Sequence, residues 1–384
     1  MRAPEAEEPS METFRIAVPD AELADLRDRL ARVRWAPEPP GDDYGVSGAD
    51  VRKLVEHWRD GYDWRAVEAR LNAHPQFTTT IDGATVHFLH VRSPEPHALP
   101  LILTHGWPGS VAEYLDVIGP LTDPRAHGLD PAVAFHLVIP SLPGFAWSGP
   151  TTDSGWGPRR IAAAWTVLMD RLGYARYGAA GNDWGSVISP EIGRTAPDSV
   201  VGVHVTQIFS GPEGDVPFYP PSVEPASVAL LPPDEQALVA GLRHFQRTMA
   251  SYHHVHAEQP QTLAYALTDS PVGLLAWNSQ VMGGLDPDAL LTHVCIHWLT
   301  HTAGTAPRIY LEDHRHPVPA APTTVPLGLA QFPYDAQAIP TYAHRDHANI
   351  VSWNVYDRGG HYASQQAPDL YLNDIRQFFA QLRP

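Results

Sequence analysis

Apolar residues recur at helical spacing near the start of the chain. In VPDAELADLRDRLARVRW, Leu23, Leu26, Leu30 and Val33 share one face, and Asp20 after Pro19 is placed to cap the helix. DVRKLVEHWRDGY and WRAVEARLNA repeat the period. Three such helices enclose little core, so they are expected to pack on the remainder of the chain. From Phe77 the period changes: FTTTIDGATVHFLHV reads as two strands joined by Asp82-Gly83, a hairpin signal. PLILTHG, FHLVIPSLPGFAWS, YARYGAAG and VVGVHVTQ read as further strands, the longer runs apolar throughout as in buried strands. IAAAWTVLMDRLG between them is helical. Strand and helix therefore alternate, which predicts an α/β fold with a mostly parallel sheet covered on both faces.

Between about Ser210 and Pro322 the alternation stops. SGPEGDVPFYPPS opens this stretch, DEQALVAGLRHFQRTMASYHH and DALLTHVCIHWLTHT are helical candidates within it, and HPVPAAPTTVP closes it. Strand signals return in VPLGLAQFP and IVSWNVY, and DLYLNDIRQFFAQL makes a closing helix. The expected division is residues 1–95 as an N-terminal unit of helices plus hairpin, 96–210 and 322–384 as the α/β core, and 211–321 as a helical lid.

Composition narrows the function classes. With 43% hydrophobic and 18% charged residues over 384 positions, the chain is globular. A formal charge of -17 repels phosphate backbones, which argues against nucleic acid. Cys295 stands alone, so no intrachain disulfide and no cysteine-built metal site are expected. No apolar run is long enough to span a membrane, and MRAPEAEEPSMET lacks the apolar stretch of a secretory signal. A cytoplasmic protein is expected. Lys53 is the one lysine, and with the Ala and Pro richness this bias suggests a high-GC genome such as that of an actinomycete. Oligomeric state is open, a homo-oligomer included.

Three loops at the ends of expected strands carry candidate chemistry: HGWPGS from His105, GNDWGS from Gly181, and DRGGHYAS with His361. Gly181-Asn182-Asp183-Trp184-Gly185 has the spacing of a nucleophile elbow, in which small neighbours let a strained turn project its central side chain. The chain has no G-x-S-x-G; aspartate replaces serine. A carboxylate is ionised at neutral pH and suits displacement at saturated carbon, giving an ester on the enzyme. His361 then serves to activate water against that ester. The oxyanion formed needs two backbone N–H donors, expected from Trp184 and from Trp107, whose bond to Pro108 is a candidate cis peptide.

HGWPGS, GNDWGS, ALTDSPVGLLAW and DRGGHYA together resemble the α/β-hydrolase-fold epoxide hydrolases. FRIAVPDAELADLRDRL and GYDWRAVEARLNAHPQF resemble the N-terminal domain of the microsomal and juvenile-hormone branch, and the likeness runs from about Phe14 to Leu382. The resemblance implies an α/β-hydrolase fold with a helical lid, an epoxide substrate with water as co-reactant, and no cofactor. It assigns Asp183 as nucleophile and His361 as base. Tyr252 and Tyr310 match the lid tyrosines that donate to the epoxide oxygen. Asp335, in Phe332-Pro333-Tyr334-Asp335, takes the place of the family's orienting glutamate, with Asp357 and Asp346 as competitors. The shorter side chain calls for a small backbone adjustment. A haloalkane dehalogenase, which shares the aspartate elbow, and a ligand receptor on the same scaffold are the alternatives. The lid's His253, His254 and His256, and His293, His297 and His301 at i, i+4, i+8, are expected to pack rather than bind metal.

Overall fold

The computed structural model describes residues 11–38, 44–212, 221–317 and 321–382. One sheet of nine strands runs β1 (Glu12–Phe14), β2 (Gln76–Ile81), β3 (Ala84–Val91), β4 (Leu99–Thr104), β5 (Phe135–Pro140), β6 (Tyr177–Gly181), β7 (Val200–Val205), β8 (Leu327–Gln331) and β9 (Ile350–Val355) in chain order. In space the order is β1-β2-β3-β5-β4-β6-β7-β8-β9. Pairing is antiparallel from β1 to β5 and parallel from β5 onward, so the α/β fold holds with an antiparallel flank. Asp82 and Gly83 turn the β2–β3 hairpin, both at positive φ. β1 is too short to announce itself in the sequence.

Successive strand residues face opposite layers. On β4, Leu101 and Leu103 join Phe378 and Phe379 of the helix Pro368–Gln381, whereas Ile102 joins Ile161, Trp165 and Leu168 of Pro158–Arg171. Burial of each such side chain contributes about 2 kcal/mol. All three strand residues are fully buried, so both faces of the sheet are covered and its chemistry is confined to the rim where the parallel strands end.

Helices Asp20–Ala31, Gly48–Asp60 and Trp64–Leu71 pack against the helices inserted between β7 and β8. Trp58 Nε1 donates to Cys295 Sγ at 3.0 Å across that contact. Asp20 is not the cap: Pro19 occupies that position, and Asp20 lies in the first turn, where its carboxylate meets Arg65 at 2.5 Å. The insertion contains Pro233–Thr248, Ser251–Glu258, Pro260–Asp269, Pro271–Ser279, Pro287–Leu299 and Arg308–Arg315. The single helix expected over DEQALVAGLRHFQRTMASYHH is two, interrupted at Met249 and Ala250 with no Gly or Pro to mark it. Buried Ala250 anchors the break, after which Tyr252, His253 and His256 turn inward. Among the described residues no helix is long and apolar enough to cross a membrane.

Candidate active site

β6 ends at Gly181 and the next helix starts at Trp184, which leaves Asn182 and Asp183 to make the turn. Asp183 adopts φ 55° and ψ -119°. Such a conformation costs about 1–3 kcal/mol and persists only where the surroundings impose it. They do: a Cβ on Gly181 would lie 2.4 Å from the Gly185 carbonyl carbon, and one on Gly185 would lie 1.8 Å from the Thr104 oxygen. The Asp183 N–H donates to Gln207 Oε1 at 2.8 Å, fastening the turn to the loop after β7.

The Trp107 N–H, in the loop after β4, donates to Asp183 Oδ1 at 2.8 Å. The Trp184 N–H also acts on this carboxylate, lowering its pKa. Gly106 permits the approach, since a Cβ there would stand 2.0 Å from Oδ1. The Trp107–Pro108 peptide is cis. Asp183 Oδ2 faces His361 Nε2 at 3.6 Å, and His361 Nδ1 stands 2.9 Å from Asp335 Oδ1. Tyr334, exposed and at φ 59°, precedes Asp335, whose side chain points inward and is 5% exposed. Asp346 is instead paired with Arg345, and Asp357 is exposed.

Charge distribution follows from this geometry. Burial raises the Asp183 carboxyl above the ordinary range, against the pull of His361 and the two backbone N–H groups. Burial alone would lower His361, but Asp335, Asp183 and Glu113 outweigh it and bring the imidazole up to about 9. At neutral pH His361 is therefore imidazolium, facing the Asp183 carboxyl.

Over the carboxylate lies a wall of rings. Tyr252 stacks on Trp107 with centroids 5.3 Å apart, and Tyr310 stands edge-on to Trp184 at 4.8 Å and to Tyr252 at 6.1 Å. Burial holds both phenols protonated far above neutral pH, and the Asp183 charge adds to this. His256 packs 4.5 Å from Trp107 and accepts from Trp277 Nε1 at 2.9 Å. His253 packs 5.1 Å from Tyr310. Burial lowers both histidines to about 3, so they are neutral walls. His293 bonds Ser110 at 2.9 Å and His297 donates to the Pro108 carbonyl at 3.0 Å, which pins the cis-proline loop. His301 falls beyond the helix at φ 57°, so the trio does not share a face. Among the described residues no three ligating side chains gather as for a metal.

Beneath Asp183 runs a polar chain that periodicity and motif spacing do not reveal. Gln207 Nε2 donates to Asp335 Oδ2 at 2.5 Å and to Asn182 Oδ1 at 2.6 Å, and Asn182 Nδ2 donates to Glu113 Oε1 at 2.9 Å. All but Asp335 are nearly or fully buried residues. Gln207 had a positional signal, since it follows a strand at the same rim as the elbow. Glu113 had another, as an acid in the apolar run VAEYLDVIGPL.

The epoxide hydrolase N-terminus family matches residues 11–114, and the alpha/beta hydrolase fold family matches residues 100–264. A putative epoxide hydrolase of Stigmatella aurantiaca is 39% identical, over 96% of this chain and 85% of its own length. Epoxide hydrolase 1 of Sus scrofa is 31% identical over 98% and 90%. The Aspergillus niger epoxide hydrolase structure superposes with a TM-score of 0.84 at 29% identity, covering 97% of both chains. Juvenile hormone epoxide hydrolase of Bombyx mori shares the fold at a TM-score of 0.84 and 24% identity, over 98% and 95%. With this N-terminal module ahead of an α/β-hydrolase core, the chain belongs to the epoxide hydrolase family, in the branch of the microsomal and juvenile hormone enzymes.

Proposed function

We propose that the chain opens epoxides to vicinal diols through an ester on Asp183. The carrying observation is the split use of one carboxylate: Oδ1 is held by the Trp107 N–H while Oδ2 remains toward His361 and the ring-lined space. Oδ2 attacks an oxirane carbon, the C–O bond breaks, and Tyr252 and Tyr310 donate to the departing oxygen. His361, oriented by Asp335, then removes a proton from water, and the hydroxide adds to Asp183 Cγ. The Trp107 N–H, on Oδ1, and the Trp184 N–H are the donors for the oxyanion that develops on Oδ1. Esterification also switches the base on: it abolishes the Asp183 charge that helps raise His361, so the imidazole loses its proton more readily.

On this reading residues 1–95, the core 96–210 with 322–384, and the lid 211–321 divide the work. The core holds the nucleophile and base, the lid brings the tyrosines, and the N-terminal helices brace the lid. The aromatic walls favour an apolar epoxide, either a bulky secondary-metabolite precursor or an aryl or alkyl epoxide removed by detoxification, in the cytoplasm. A dehalogenase would use the Trp184 indole, which faces Tyr310 edge-on, for halide; the tyrosine pair favours the epoxide. Single turnover in oxygen-18 water tests the route. Label is expected in the Asp183 carboxylate and not in the first diol released; label directly in that diol contradicts it.

A further inference from the structure

Glu113, in the short 3-10 turn Val111–Tyr114 after the HGWPGS loop, is a second carboxyl beneath the nucleophile. It is 1% exposed. Oε1 accepts from Asn182 Nδ2, the residue before Asp183, at 2.9 Å, while Oε2 is buried with no hydrogen-bond partner. An orphaned buried carboxylate oxygen is costly unless something uses it. Gly109 lets this oxygen come close to the HGWPGS loop: a Cβ there would lie 3.1 Å from Oε2, 3.3 Å from the Gly106 oxygen and 3.6 Å from the Tyr362 ring. Tyr362 follows the base His361, and its own hydroxyl is also buried without a partner. Two unpartnered buried polar groups, with the Tyr362 ring 5.0 Å from the imidazole, supply the polar partners that one bound water molecule needs.

We infer that Glu113 holds the water that His361 activates, with Oε2 accepting one O–H of that water while His361 Nε2 takes the proton of the other. This rests on the covalent route above. Atoms and protons balance: one water proton passes to Nε2, the oxygen adds to Asp183 Cγ, and the Cγ–O bond to the diol breaks. The leaving oxygen recovers the proton from His361, and the second water proton stays on the new carboxyl until that ionises. Glu113 forms and breaks no covalent bond; it aims the oxygen.

Burial raises the Glu113 carboxyl to about 8, against His361 and Asn182, and the charges of Asp183 and Asp335 raise it further. The other groups facing it, Tyr114, Tyr362 and Tyr371, are phenols that burial keeps neutral. In either protonation state Oε2 keeps a lone pair that can accept from water.

The test separates ester formation from ester hydrolysis by rapid quench and intact mass. Glu113→Gln keeps an acceptor for Asn182 but puts N–H donors where Oε2 stood. It is expected to form ester near the wild-type rate and to hydrolyse it about 10–100-fold more slowly, so that ester accumulates. Gly109→Ala, whose methyl would press on Oε2 from 3.1 Å while leaving the Glu113 carboxyl chemically intact, is expected to show the same split. Unchanged hydrolysis in Glu113→Gln, or equal slowing of both steps in the two variants, overturns the assignment. His361→Gln is the control: ester trapped there but not in Glu113→Gln refutes the role of Glu113 alone, whereas no ester in either refutes the covalent route and this inference with it.

Discussion

Asp183 and His361 sit among hydrogen bonds, whereas Tyr252 and Tyr310 sit among rings. On the lower side each polar group is held from two directions: Trp107 fixes Oδ1, Gln207 fixes both the Asp183 N–H and Asp335, and Asp335 fixes His361. On the upper side stacking and edge contacts position the phenols, with Trp107 shared between the two walls. The difference teaches a division of labour. Groups that bear charge in the resting state need dipoles in place beforehand. Groups that must give a hydrogen bond to an incoming oxygen are better held by shape, which leaves the O–H to the substrate.

The comparison breaks most severely at Asp183. Asp183→Asn is expected to lower kcat/KM at least about 10⁴-fold, measured as diol formation on fresh protein, with the fold intact by circular dichroism. Retained turnover would place the chemistry elsewhere. His361→Gln leaves the proposed nucleophile and removes the proposed base. A stoichiometric burst of ester followed by turnover about 10³-fold slower is expected, and a variant that forms no ester would show that the histidine serves the first step.

On the ring side, Tyr252→Phe and Tyr310→Phe are each expected to slow ester formation about 10–100-fold while hydrolysis is spared. Slowed hydrolysis with normal ester formation would reverse the assignment of the two walls. Gln207→Leu removes the tie between acid and elbow, and hydrolysis about tenfold slower is expected, with a smaller loss in ester formation. The smallest effect is a pH shift. Ester formation needs ionised Asp183, whose pKa burial raises, so its rate should fall with acid above the ordinary carboxylate range. His361→Gln deletes a cation that lowers this pKa and should move the acid limb to higher pH. A limb that stays put or moves lower would sever the coupling.

Much of the lower wall was legible because strand ends are legible. Apolar runs ending in HGW, GND and GGH put Trp107, Asp183 and His361 on one rim, and glycine spacing marked the elbow. Asp335 and the tyrosines came through family likeness alone, since neither Tyr334 at φ 59° nor the break at Met249 has a local signature. Gln207, Asn182 and Glu113 stayed hidden for a different reason. Their meaning lies in hydrogen bonds between residues 24 to 128 positions apart, and hydrophobic periodicity carries no trace of these.

The central claim is that Asp183 becomes an ester, and peptide mapping of His361→Gln after exposure to an excess of styrene oxide tests it most directly. The account predicts a mass increase of one epoxide on the peptide containing Asp183, at one equivalent per chain, abolished in Asp183→Asn/His361→Gln. An unmodified peptide with diol still forming, or an adduct on another residue, would contradict it.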